Sequence, residues 1–316
     1  MSFPTLTEVY DQTRAECGDT EVAGGQIYTN TLLLPHIQSA TRTLWRGLRN
    51  LATPRVQRTF YYTLPANTNT FHPSTALITD FSEPSGPVAQ RTITASIDVA
   101  AATQSGSNLD ITCTGAHGLS TGDTVVLEQL VGLKGANILC TVTATSATQL
   151  FANGVITTGT YTSGGKVVTS RNEFNPIEYR QVIPTSVTSG SKGLSVAVYQ
   201  DNYFQFIPST EAQQIRITYW SSAQVPTTGA DIIGFNDCID FLAKYAGSMA
   251  CKAQGANDRA ATLKDESVGP RFNEGIFGGE LRQLMQAAVR ERQNLSPYER
   301  SPRPFREQGY GLGYPL

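Results

Sequence analysis

The chain has 316 residues, enough for a large core or for two domains. Its 24 Lys and Arg stand against 26 Asp and Glu, for a net charge of −2, and only 16% of residues are charged. That balance excludes a generic nucleic-acid or membrane-surface binder, which needs a basic excess, and no apolar run is long enough to span a membrane.

Leu6, Val9, Tyr10, Thr13 and Cys17 recur at helical spacing, so a short helix is expected there, capped by Thr5 or Thr7 and ended by Gly18. A loop with the turn dipeptide Gly24-Gly25 follows. A second helix carries Leu34, Ile37, Thr41, Leu44, Leu48 and Leu51 inward and stops at Pro54, with Arg42, Arg46 and Arg49 on other faces. Those arginines read first as a solvated face and second as a DNA-facing one.

From Val56 the period changes. "VQRTFYYTL" and "STALITDF" read as strands, Glu83 to Pro87 as a loop, and "RTITASIDV" as a third strand or a lead-in. Residues 90–170 are rich in Thr, Ser, Gly, Ala and Val. Five strand candidates stand there, "LDITCT", "DTVVLEQL", "ILCTVTAT", "TQLFA" and "GGKVVTS", parted by glycine turns, as in a small sandwich or barrel. Beyond it "EYRQVIP" and "EAQQIRITYWSSA" read as strands, and "GLSVAVYQDNYFQFIP" as a hairpin around Gln200-Asp201-Asn202. A third helix is expected from about Asp231, with Ile232, Phe235, Ile239, Leu242, Ala246 and Met249 as its stripe and Asp240–Lys244 as an ion pair. "ANDRAATLKDES" extends it or forms a helix of its own. A fourth helix spans about Glu280 to Asn294, with Leu281, Leu284, Met285, Ala288 and Leu295 inward. The expected class is α+β: a helical core of about four helices with a β-ribbon or sheet layer (1–89 and 171–295), an inserted all-β domain (90–170) whose ends lie close and which is dispensable for the core, and an extended C-terminal segment (296–316).

Chemistry is sparse. His36, His72 and His117 sit in unrelated contexts, and no HExxH, CxxC, GxSxG or phosphate-loop spacing occurs. His117 beside Asp123 invites a catalytic reading, but a turn histidine before Gly118 is the simpler one. Asp237 and Asp240 read as a solvated charge face. "GIFGGE" follows no strand signal, so a phosphate loop is not expected there. Five cysteines without CxxC spacing point to reduced thiols, with a Cys113–Cys140 bridge conceivable, and Met1-Ser2-Phe3-Pro4 lacks the features of a signal peptide. No enzyme activity, metal or cofactor is expected. The candidate docking residues are Tyr298, Arg300, Arg303, Phe305, Arg306, Tyr310 and Tyr314, because Tyr, Phe and Arg are common interface anchors.

These residues carry a resemblance. "LTEVYDQTRAECGD" followed by "LLLPHIQSATRTLWRGL" resembles the N-terminal helical pair of tailed-bacteriophage head-to-tail adaptor (connector) proteins. "GFNDCIDFLAKYAGSMACKAQGANDRAATLKDE" with "GELRQLMQAAVRER" looks like their C-terminal half. "HGLSTGDTVVLEQLVG", "NILCTVTATSATQLFANG" and "GTYTSGGKVV" are similar to a small β-module of phage tail and virion proteins; many adaptors lack such an insertion. The resemblance implies a virion structural protein made in the host cytoplasm. Its copies would form a ring, commonly a dodecamer, under the portal at the head-to-tail interface. The implied partners are the portal protein, a downstream tail (nozzle or tail-tube) protein, other copies of the chain, and genomic double-stranded DNA passing without sequence-specific binding, with no membrane. The rival readings are a tail-tube or tail-fibre component, a tail-associated wall hydrolase, and a carbohydrate-binding role for the module resting on Phe151 and Tyr161.

Overall fold

The computed structural model describes residues 4–19, 26–51, 53–73, 78, 80–170, 172–179, 192–223, 225–229, 231, 237–270 and 278–294. The fold is mixed α+β, with five α-helices among the described residues. It divides into two compact units, one holding residues 1–57 and 221–301 and the other centred on 58–220.

In the first unit α1 spans Leu6–Cys17. Thr5 caps it through a reciprocal pair with Glu8, and Gly18 closes it in the left-handed region at φ 78, satisfying amide and carbonyl groups that a helix end leaves open. The second helix, α2 (Asn30–Asn50), is capped by Thr29 and buries Leu33, Ile37, Ala40, Thr41, Leu44, Trp45 and Leu48. Pro35 lies within it on the exposed side, one turn from the start. Arg14 ties the two together: its guanidinium donates to the Tyr28 carbonyl at 3.0 Å, to Asp11 at 2.9 Å and to Asn30.

The third helix, α3 (Ile239–Ala253), packs against α1, α2 and α4 (Asn257–Val268), and α5 (Gly279–Asn294) completes the unit. Ala243, Ala246, Gly247 and Ala250 are buried and small, so neighbouring backbones approach closely. A methyl on Gly247 would come within 3.2 Å of the Cys17 sulfur and 3.3 Å of Leu263.

Several expectations change here. Asp231 lies outside any helix, and its carboxylate accepts from the Thr227 and Thr228 amides and hydroxyls in a turn. Asp237 is also non-helical and pairs with Arg55 at 3.0 Å. Lys244 reaches Glu280 at 3.1 Å and Glu266 at 3.5 Å rather than Asp240, which accepts from Gln12. Those carboxylates come from other helices, which local spacing does not show. Met249 is only half-buried. "ANDRAATLKDES" forms its own helix because the chain turns at Gly255, φ 81. Ile232, Phe235, Leu295, the Gly24-Gly25 turn and the glycine run up to Phe277 lie outside the described residues.

The second unit is built of strands. A sheet runs β1 (Gln57–Leu64), β17 (Gln213–Ser221), β4 (Ala89–Thr92), β13 (Asn175–Pro176), with β3 (Phe81–Pro84) also on β17. A second runs β14 (Glu178–Tyr179), β15 (Val196–Gln200), β16 (Tyr203–Phe206), β2 (Thr70–Phe71), with the hairpin turn at Asp201-Asn202, both at positive φ. Leu64, Phe71, Val88, Phe204, Phe206, Ile215 and Ile217 belong to their shared core. Of "STALITDF", Ser74 to Leu77 and Thr79 lie outside the described residues; its last residue, Phe81, opens β3 and stacks on Tyr219 at 5.1 Å, and Glu83 and Pro84 are strand rather than loop. Of "EYRQVIP", Arg180 to Pro184 lie outside the described residues.

Between β4 and β13 stands a closed barrel. It is made of β5 (Ala95–Ser105), β6 (Asn108–Cys113), β7 (Thr124–Glu128), β9 (Ile138–Ala144), β10 (Gln149–Ala152) and β12 (Lys166–Thr169), in the order β10-β6-β5-β12-β7-β9 with β9 back on β10. Closure removes free edges. Leu109, Ile111, Val125, Leu127, Val142, Leu150 and Val167 fill it, each 0% exposed. "RTITASIDV" is two strands, β4 and β5, broken at Ile93-Thr94. Two further strands, β8 (Val131–Lys134) and β11 (Thr158–Ser163), pair with each other. Gly132 and Gly159 face across that pair at φ 90 and 95, and a side chain on either would run into the opposite backbone.

Candidate interaction surfaces

The histidine that invited a catalytic reading is a structural latch. His117 is 6% exposed. Its Nδ1 accepts the Leu119 amide at 3.0 Å, so Nε2 carries the proton and donates to the Ser146 and Gln149 carbonyls at 2.8 and 3.2 Å. Asp123 accepts the Ser120 amide and shapes the next turn. The five cysteines are free thiols, Cys113 and Cys140 included. Burial pushes the Cys140 thiol up to about 11 and raises Cys17 and Cys113, so all three stay protonated and poorly nucleophilic at neutral pH. No group of three or more His, Cys, Asp or Glu among the described residues can hold a metal. None of the described helices is long and apolar enough to cross a membrane.

Two surfaces can serve contact. On α2, Thr31, Pro35, Arg42, Arg46 and Asn50 are exposed at helical spacing. The helix has no Asp or Glu, and Arg42 and Arg46 make no ion pair among the described residues. On the barrel, Ile138, Leu139 and Ile156 are left exposed at 39%, 41% and 70%. A shallow groove of about 200 Å³ lies along Tyr62, Leu64, Pro65, Phe71 and His72. The docking residues expected from the sequence, Tyr298, Arg300, Arg303, Phe305, Arg306, Tyr310 and Tyr314, lie outside the described residues.

Sequence reasoning missed how the barrel is joined to the sheet. Asn137 accepts the Tyr61 amide at 2.9 Å and donates to the Tyr61 carbonyl at 3.1 Å, imitating a neighbouring strand on β1. Glu128, 1% exposed, takes the Thr63 amide at 2.9 Å, the Thr63 hydroxyl at 3.2 Å and the Gln214 amide. Gln214 in turn accepts from Arg91 Nε at 2.6 Å. Burial raises the Glu128 carboxyl above its ordinary value, against the pull of those donors. The one sign in the sequence was a carboxylate closing the apolar run "TVVLE".

Compared with known protein families and with curated proteins, the chain matches none.

Proposed function

We propose that the chain is a structural subunit of a tailed-bacteriophage virion, a head-to-tail adaptor whose copies form a ring under the portal and offer the tail its attachment surface. One observation carries the reading. Residues from both ends of the chain build a single helical unit, and its longest described helix, α2, keeps an exposed edge with two arginines and no acid. Copies arranged about an axis with that edge inward would line a channel for DNA. They would meet phosphates through charge alone, without reading sequence. In this reading the portal, a nozzle or tail-tube protein and other copies of the chain are the protein partners. The site of action is the assembled particle during DNA ejection, and no catalysis or cofactor is involved. A closed ring needs two different faces per subunit.

The test is to mix the full chain with the portal protein of its own particle and to image the product by negative-stain microscopy. A ring seated on the portal is expected. A helical tube, or decoration of fibres without portal binding, supports a tail-tube or tail-fibre component instead.

A further inference from the structure

Three side chains of the β unit converge on one ring. Arg91 on β4 and Gln214 on β17 are cross-strand partners, and Arg216 follows two residues on, on the same face of β17. Phe174, in the connection leading into β13, has its ring centroid 4.5 Å from the Arg91 guanidinium carbon and 5.1 Å from that of Arg216. Tyr61 packs on the same ring at 5.6 Å.

Neither guanidinium has an ion-pair partner among the described residues. Arg91 is 7% exposed; its Nε is held by Gln214, and its Nη2 is buried with no hydrogen-bond partner. The Glu128 carboxylate bonds Thr63 and Gln214 and neither guanidinium. Burial and, to a smaller degree, the Arg216 charge disfavour the Arg91 guanidinium, while the Glu128 carboxylate favours it from a distance without bonding it. A water molecule at Nη2 would satisfy the donor and leave the repulsion from Arg216. An anion satisfies both.

We propose that Arg91 Nη2 and the Arg216 guanidinium bind one small oxyanion, a carboxylate or a phosphate, with Phe174 and Tyr61 as its walls. A guanidinium presents parallel N–H groups at the spacing of two oxyanion oxygens, which a lysine does not. Arg216 and Phe174 are half-buried and Arg91 is buried, so the anion would be approached from the Arg216 side. The assignment is independent of the adaptor reading, since it rests on this unit alone.

The experiment is calorimetric titration of the full chain with inorganic phosphate and, separately, with acetate, at matched ionic strength in chloride. Saturable binding is expected, weakened at least tenfold in Arg91→Met and in Arg216→Gln. Arg216 is half-exposed, so Arg216→Gln keeps the test open should Arg91→Met misfold, and Arg282→Gln, at an exposed position of α5, serves as an unaffected control. Binding of phosphate alone, or tighter than acetate, assigns the site to a phosphate group. Acetate binding at least as tightly assigns it to a carboxylate, as an acidic side chain would bring. No saturable heat with either probe overturns the site. So does binding that Arg216→Gln leaves unchanged.

Discussion

His117 and Glu128 show how buried polar groups act in this protein. Replacing His117 by Ala strands the Leu119 amide and leaves the Ser146 and Gln149 carbonyls short of a donor in a site 6% exposed. The expected cost is about 1–3 kcal/mol in denaturant unfolding; a neutral result would mean the latch is ornamental. For Glu128 the sign follows from burial. Its pKa is raised above the usual 4.5, so the folded state holds the proton more tightly than the unfolded one. The stability it contributes is full below pH 4.5 and is lost as pH rises through the raised value. Glu128→Gln cannot titrate, and it sets an amide donor against either Thr63 or Gln214, a cost that pH does not change. The stability of wild type relative to Glu128→Gln should therefore fall as pH rises above 4.5. A difference that stays flat, or rises, refutes the assignment.

Among elements, those written in local spacing were legible. The helix from Leu6 to Cys17 is set by its stripe, the Thr5–Glu8 cap and Gly18, and the structure has those same bounds. Thr5→Ala should cost about 1 kcal/mol, read as a lower thermal midpoint for the helical signal. The five barrel strands read from alternation also stand where expected, while β8 and β11 were missed: their short "VGLK" and "TGTYTS" carry glycines where two backbones touch, and glycine reads as turn. The start of α3 was read too early because apolar spacing continues through "DIIGF", whereas the Asp231 carboxylate prefers the Thr227 and Thr228 amides. The expectation that the barrel is dispensable also meets a physical objection. Excising Ala95 to Thr169 would uncover the Tyr61 amide and carbonyl and the Thr63 amide on β1, and would leave Gln214 without Glu128. An uncovered strand of this kind pairs with other chains. The excised protein should keep its helical circular dichroism and aggregate in size-exclusion chromatography. A soluble monomer after excision would show that the Asn137 and Glu128 contacts are expendable.

At the scale of the whole molecule, the proposal makes assembly the function, and two parts of the chain divide the work. In the proposed ring the α2 edge would line the channel; charge there acts over a Debye length of about 10 Å at 0.1 M salt, so Arg42→Glu with Arg46→Glu should leave the fold intact while slowing DNA passage. The segment from Ser296 to Leu316 has the composition of a docking strap. Its sequence has Pro297, Pro302, Pro304 and Pro315, a residue type that disfavours helix, and the large side chains of Tyr298, Phe305, Tyr310 and Tyr314. An extended chain of that length reaches about 70 Å, farther than the radius of one domain, so it can bind a neighbouring copy or the portal. Each contact would be weak alone, because ordering the segment costs free energy, and a ring repeats it many times. Free subunits should therefore sediment as monomers and close into rings only on the portal. Removing Gln308 to Leu316 should weaken portal capture, and removing Pro297 to Leu316 should abolish it, with the helical signal unchanged in both. If both truncated chains seat on the portal and complete particles like the full-length protein, docking belongs to the folded units, and the exposed Ile138, Leu139 and Ile156 of the barrel become the surface to mutate next.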